Sequence, residues 1–114
     1  MATQKDFTHL IERLDAFEER LGVSIESLRA GDHTNMWGGI NGIVIFGQLH
    51  PREGTQIGED VNIIAEAYER SGRIIEMDKH TIYQNNFFGF ETFKIVLLLD
   101  STEVSKIRIY PKRC

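Results

Sequence analysis

Cysteine and proline are scarce in this chain. The single cysteine, Cys114, is its last residue, so no intramolecular disulfide can form and a Cys/His zinc cluster lacks its ligand set. No metal and no cofactor is expected. A basic excess is also missing: 13 Lys and Arg stand against 17 Asp and Glu, a formal net charge of -4. That balance gives no general attraction to nucleic acid or anionic lipid. The opening residues MATQKDFTHLIERL mix acids and polar residues with no continuous apolar stretch. They read as neither a signal peptide nor a membrane span, so the expected compartment is the cytoplasm, with no membrane partner.

What the chain does have is two kinds of hydrophobic period. Phe7, Leu10, Leu14, Phe17 and Leu21 recur at spacings of three and four, the stripe of an amphipathic helix, and Gly22 follows as its stop. A second short helix is predicted over SIESLRAGD, with Ser24 as N-cap and Gly31 as terminator. GDHTNMWGG then reads as a linker.

Beyond the linker the period becomes two. Ile43, Ile45 and Leu49 share a face, as do Val61, Ile63, Ala65 and Ala67. RIIEM and HTIYQ read as two further strands, and Phe93, Ile95, Leu97 and Leu99 mark the strongest one, whose apolar Val96 and Leu98 predict a covered second face. Ile107 and Ile109 point inward on a last strand ended by Pro111. Connections this short require antiparallel pairing. The expected fold is therefore mainly β: an antiparallel immunoglobulin-like β-sandwich over residues 35–114, preceded by an N-terminal helix or helical hairpin over residues 1–34, with a small barrel as the second architecture.

FGQL at Phe46 to Leu49, DVNIIAEAYERSGRII at Asp60 to Ile75 and FFGFETFKIVL at Phe87 to Leu97 together resemble the FxLYD-type domain, an immunoglobulin-like sandwich of bacteria and archaea. Tyr68 and Glu69 stand where that family has its Tyr-Asp pair, Gly72 at its turn glycine and Phe93 in its late strand. The similarity spans about residues 43–99 and departs from the motif at Ala65, Glu66 and Ala67. It implies a non-enzymatic sandwich and supplies no catalytic residue.

Chemistry-bearing motifs are not assembled. Gly42 and Gly47 have phosphate-loop spacing, but Gln48 and Leu49 follow where Lys and Ser or Thr are needed. His9, His33, His50 and His80 show neither i, i+4 nor alternate spacing. No enzyme is indicated. The leading reading is an interaction or structural module that homo-oligomerises or docks a protein partner through the stripe of Phe7, Leu10, Leu14, Phe17 and Leu21. Trp37, with Phe87 or Phe88, is the candidate recognition patch, since adjacent Phe87 and Phe88 cannot both point inward on extended backbone. A second reading takes LGVSIESLR as a helix-turn-helix of a DNA-associated regulator, although one Arg against several acids makes nucleic acid a poor fit. A third is a small-ligand binder built from His33, His50 and Glu53.

Overall fold

Alternating apolar residues build two sheets that face each other across one core. A computed structural model of the chain describes residues 5–33 and 42–114. Strands β1 (Ile11–Arg13), β7 (Lys106–Arg113), β4 (Val61–Tyr68) and β5 (Ile74–Ile82) form a four-stranded sheet in the order β1-β7-β4-β5. Strands β2 (Val23–Asp32), β3 (Ile43–Pro51) and β6 (Glu91–Leu97) form the three-stranded sheet β2-β3-β6. All pairings are antiparallel except β1 with β7, which is parallel. The fold is mainly β, and the sheets remain separate, without closing into a barrel.

The period-two residues do what the pattern predicts. Ile43, Ile45 and Leu49 of β3, Val61, Ile63, Ala65 and Ala67 of β4, Phe93, Ile95 and Leu97 of β6, and Ile107 and Ile109 of β7 are all buried in the shared core. RIIEM and HTIYQ prove to be largely one continuous strand, β5. Pro111 lies inside β7 instead of ending it, paired with Ile63. Its missing N–H costs nothing there, because β1 reaches only Ile107 to Ile109 on the other side.

The N-terminal third departs from the expected helices. Only α1 (Asp15–Leu21) is helical, ended by Gly22 at φ 70° in the left-handed region. Upstream, the Asp6 carboxylate accepts from the Thr8 amide at 2.9 Å and hydroxyl at 2.6 Å, starting a 3-10 turn at Thr8–Leu10 in place of a helix. The predicted second helix is strand β2: Val23 and Ile25 point into the core, and a bulge between Glu26 and Arg29 sets Ser27 and Leu28 opposite the single Gly47, one extra residue. The bulge brings Leu28 back onto the core three residues after Ile25, which imitates helical spacing. The expected division at residues 34 and 35 is not a division of the core, since Phe7, Val23, Ile25 and Ala30 share it with β3, β4, β6 and β7. Nor does a helix cover the outer face of β6, which is an edge strand with Leu98 exposed just beyond it.

One charged group joins these parts. Glu18 of α1 is 0% exposed, yet it is fully paired. Its carboxylate accepts from Arg13 at 2.7 and 3.2 Å and from the Ile25 amide at 2.9 Å. Arg13 belongs to the four-stranded sheet and Ile25 to the three-stranded one, so a single carboxylate ties both sheets to the helix between them. The same contact raises the Arg13 pKa above its ordinary value, chiefly through the Glu18 hydrogen bond.

Removing a buried charge partner leaves the others unsatisfied. The Arg13 side chain is 40% exposed and can regain water, so Glu18→Ala is expected to cost about 3 kcal/mol, the low end for a broken buried pair. Urea unfolding of the two chains measures the difference, and a loss below about 1 kcal/mol would place Glu18 among ordinary surface charges.

Candidate functional site

The densest polar cluster lies on the outer face of the four-stranded sheet. Glu66 of β4 accepts from the Tyr68 hydroxyl at 2.7 Å and the Tyr110 hydroxyl at 2.9 Å. Arg108, opposite Glu66 in register, turns instead to Glu12 at 2.9 Å and lies 5.1 Å from the Tyr68 ring. Phe17 of α1 closes over Tyr110, the ring centroids 5.2 Å apart. Burial first, then the Glu66 hydrogen bond, pushes the Tyr110 pKa up to about 12, and the Glu66 hydrogen bond raises that of Tyr68. Both oxygens of Glu66 are occupied by hydroxyls, so the cluster is internally satisfied and ties β4 to β7.

The end of the sandwich carrying the β3–β4 and β5–β6 connections is different. There Ile57 and Phe87 are buried plugs, with Phe87 only 1% exposed. A 3-10 turn at Gln84–Asn86 precedes Phe87, whose extended backbone sends the next side chain the opposite way. Phe88 is accordingly 79% exposed, with Phe90 at 51% and Tyr83 at 54% beside it in the chain. Hydrogen bonds hold the segment in place: Gly89 N donates to Thr55 O at 2.9 Å, and Gln84 N to Asp60 Oδ1 at 2.8 Å. The Phe90 ring stacks on His50, centroids 5.3 Å apart and planes within 9°. His50 Nε2 is in turn 3.0 Å from Gln48 Oε1. Three exposed aromatics thus stand on an anchored backbone.

The residues singled out from sequence fall in several places. Phe7 is core, Leu10 and Leu21 pack against it, Leu14 is half-buried and begins α1, and Phe17 covers Tyr110. The stripe residues do not share one helix face: Phe7, Leu10 and Leu21 pack inward, and Phe17 stays 38% exposed. Phe87 is a core anchor, and Phe88 alone of the adjacent pair is exposed. Trp37 lies outside the described residues. His33 and His50 are not brought together: the His33 amide bonds to Gly42 at one end of β3, and His50 sits at the other. Glu53 is an exposed loop residue. With Val23–Asp32 a strand, no second α-helix follows α1 among the described residues, as a helix-turn-helix would require.

Tyr83 and Phe90 escaped the sequence reading, although Phe90 is the third aromatic of NNFFGF. Among the described residues, no three His, Cys, Asp or Glu side chains gather where a metal could be held, and no helix is long and apolar enough to cross a membrane.

The tyrosine cluster gives a pH signature. A phenol whose folded pKa of about 12 lies above its unfolded value of about 10 stabilises the fold fully below pH 10, and that contribution disappears as pH rises through 12. Ultraviolet titration should show a phenol ionising about two units late, and Tyr110→Phe should remove that step. Normal titration of all three tyrosines would contradict the hydrogen-bonded cluster.

No protein-family model, curated protein or solved structure matches the chain, so the geometry carries the functional reading alone.

Proposed function

We propose that this protein is a non-enzymatic interaction module, an immunoglobulin-like sandwich that inserts the aromatic end around Phe88 into an apolar groove of a protein partner. The carrying observation is the contrast between Phe87 at 1% and Phe88 at 79% exposure. A large ring is kept in water at a position fixed by its buried neighbour, and rigid aromatic anchors of this kind dominate interface energies.

The strand order supports the immunoglobulin-like reading. β2-β3-β6 follows the A-B-E order, and β5-β4-β7 follows C′-C-F. β1 occupies the edge beside F where strand G would lie, running parallel to it. In such sandwiches the loops at one end are the natural recognition surface.

The sheet edge is a weaker candidate. On edge strand β5 the Met77 amide donates to Glu76 Oε1 at 3.0 Å and the Lys79 amide to Asp78 Oδ1 at 2.8 Å. Acidic side chains thereby occupy donors that an added strand would need.

Selection of random displayed peptides on the full chain tests the proposal. Peptides enriched in apolar residues are expected, binding Phe88→Ser at least tenfold more weakly, the loss of an anchor being worth about 2 kcal/mol. Failure to enrich any peptide, or equal binding to the variant, would overturn it.

A further inference from the structure

The outer face of the three-stranded sheet carries a separate feature made by the β2 bulge. Ser27 has φ 56°, the one positive value outside glycine among the described residues. Strain of this kind is held only where the surrounding structure enforces it, and it gathers at ligand sites. The enforcing contact is inside: Leu28 and Phe93 pack into the space over Gly47, where an added Cβ would lie 2.9 and 2.5 Å from them. On the outside the bulge leaves two hollows of about 250 and 430 Å³ that share Arg29 and Phe46. The Ser27 hydroxyl has no hydrogen-bond partner among the described residues, and Ser27 lines the larger hollow with Thr92.

Cations outnumber acids around this groove, and the one acid that lines it among the described residues, Asp6 in the smaller hollow, feels the charge of Arg29. Arg29, Phe46 and Lys94 lie side by side across β2, β3 and β6. The Lys94 ammonium is 5.9 Å from the Phe46 ring centroid, and Lys5 lines the smaller hollow. No carboxylate comes within 4.0 Å of these three cations among the described residues. The nearby Asp6 carboxylate is engaged by Thr8. In a chain of net charge -4, Arg29 and Lys94 flanking an exposed ring, with Lys5 nearby over Phe7, form a local site for an anion with an apolar body. Arg can grip a carboxylate with two parallel hydrogen bonds, the strained serine adds a donor, and Phe46 supplies a stacking floor.

We propose that the bulge groove binds a carboxylate carried on an aromatic or branched apolar group, with Arg29 and Lys94 holding the anion, Phe46 the apolar body and Ser27 a carboxylate oxygen. This site is independent of the aromatic end, from which it differs in ligand and in residues.

Backbone amide shifts of the full chain, titrated with 3-phenylpropionate, test it. Saturable shifts at Ser27, Arg29, Phe46 and Thr92 are expected, with a dissociation constant on the order of 1 mM for so small a ligand. The neutral 3-phenylpropionamide should bind at least tenfold more weakly, as should the acid to an Arg29→Gln, Lys94→Gln variant. Ser27→Gly relieves the positive φ, so it should raise the melting temperature while weakening binding. N-acetyl-alanyl-phenylalanine separates the sources: tenfold tighter binding assigns a peptide carboxyl terminus, and equal binding a free acid. Equal binding of the amide, unchanged binding in either variant, no saturable shift by about 20 mM, or shifts confined to residues 83–90 would overturn the proposal.

Discussion

The Glu18 carboxylate is the constraint on which the arrangement depends. A charge with no exposure to water is tolerable only when fully paired, and its partners lie on β1 at Arg13 and on β2 at Ile25. Those strands belong to opposite sheets. Satisfying Glu18 therefore fixes how the chain leaves one sheet, makes the short turn of α1 and enters the other. Phe17 is held over Tyr110 by the same placement, and Phe7 enters the core from the segment before it. The N-terminal segment shares the core of the two sheets through Phe7, with Leu10 and Leu21 packed against it, while Phe17 keeps part of its ring exposed.

That has a consequence for function. Glu76 and Asp78 cap two of the β5 amides, and the exposed large apolar groups include scattered Phe17, Ile74, Met77 and Leu98 as well as two groups held in place by their neighbours. Tyr83, Phe88 and Phe90 stand on a connection anchored by Phe87. At a second place, Phe46 sits between Arg29 and Lys94 beside a strained bulge. The first surface is the one proposed above for an apolar groove of a protein, the second the one proposed for a small anionic group. The polar cluster around Glu66 is satisfied within itself.

How much of this was legible in the sequence follows from where local and tertiary preferences agree. For β3, β4, β6 and β7 they do: apolar residues alternate and the same residues are buried, whereas the largely exposed β5 and the uncovered edge of β6 depend on tertiary placement. From Phe7 to Asp32 they conflict. Spacings of three and four between Phe7, Leu10 and Leu14 imitate a helix, but Asp6 captures Thr8 and the chain turns. In β2 the one extra residue of the bulge places Ile25 and Leu28 on one side at helical spacing. At the candidate site, adjacency of Phe87 and Phe88 required one ring to face out. Which one depends on the turn at Gln84–Asn86, a tertiary matter. The groove was not legible, because Ser27, Arg29, Phe46 and Lys94 meet only through sheet register.

The unity of the sandwich is open to direct measurement by native-state hydrogen exchange on the full chain. If Glu18 locks the N-terminal segment into the core, the Ile25 amide should exchange only through global unfolding, with the same free energy as Ile45 of β3 and Ala65 of β4. Exchange of residues 7–31 as a separate unit, several kcal/mol easier than β3 and β4, would contradict a single sandwich and return the apolar stripe to the list of free surfaces.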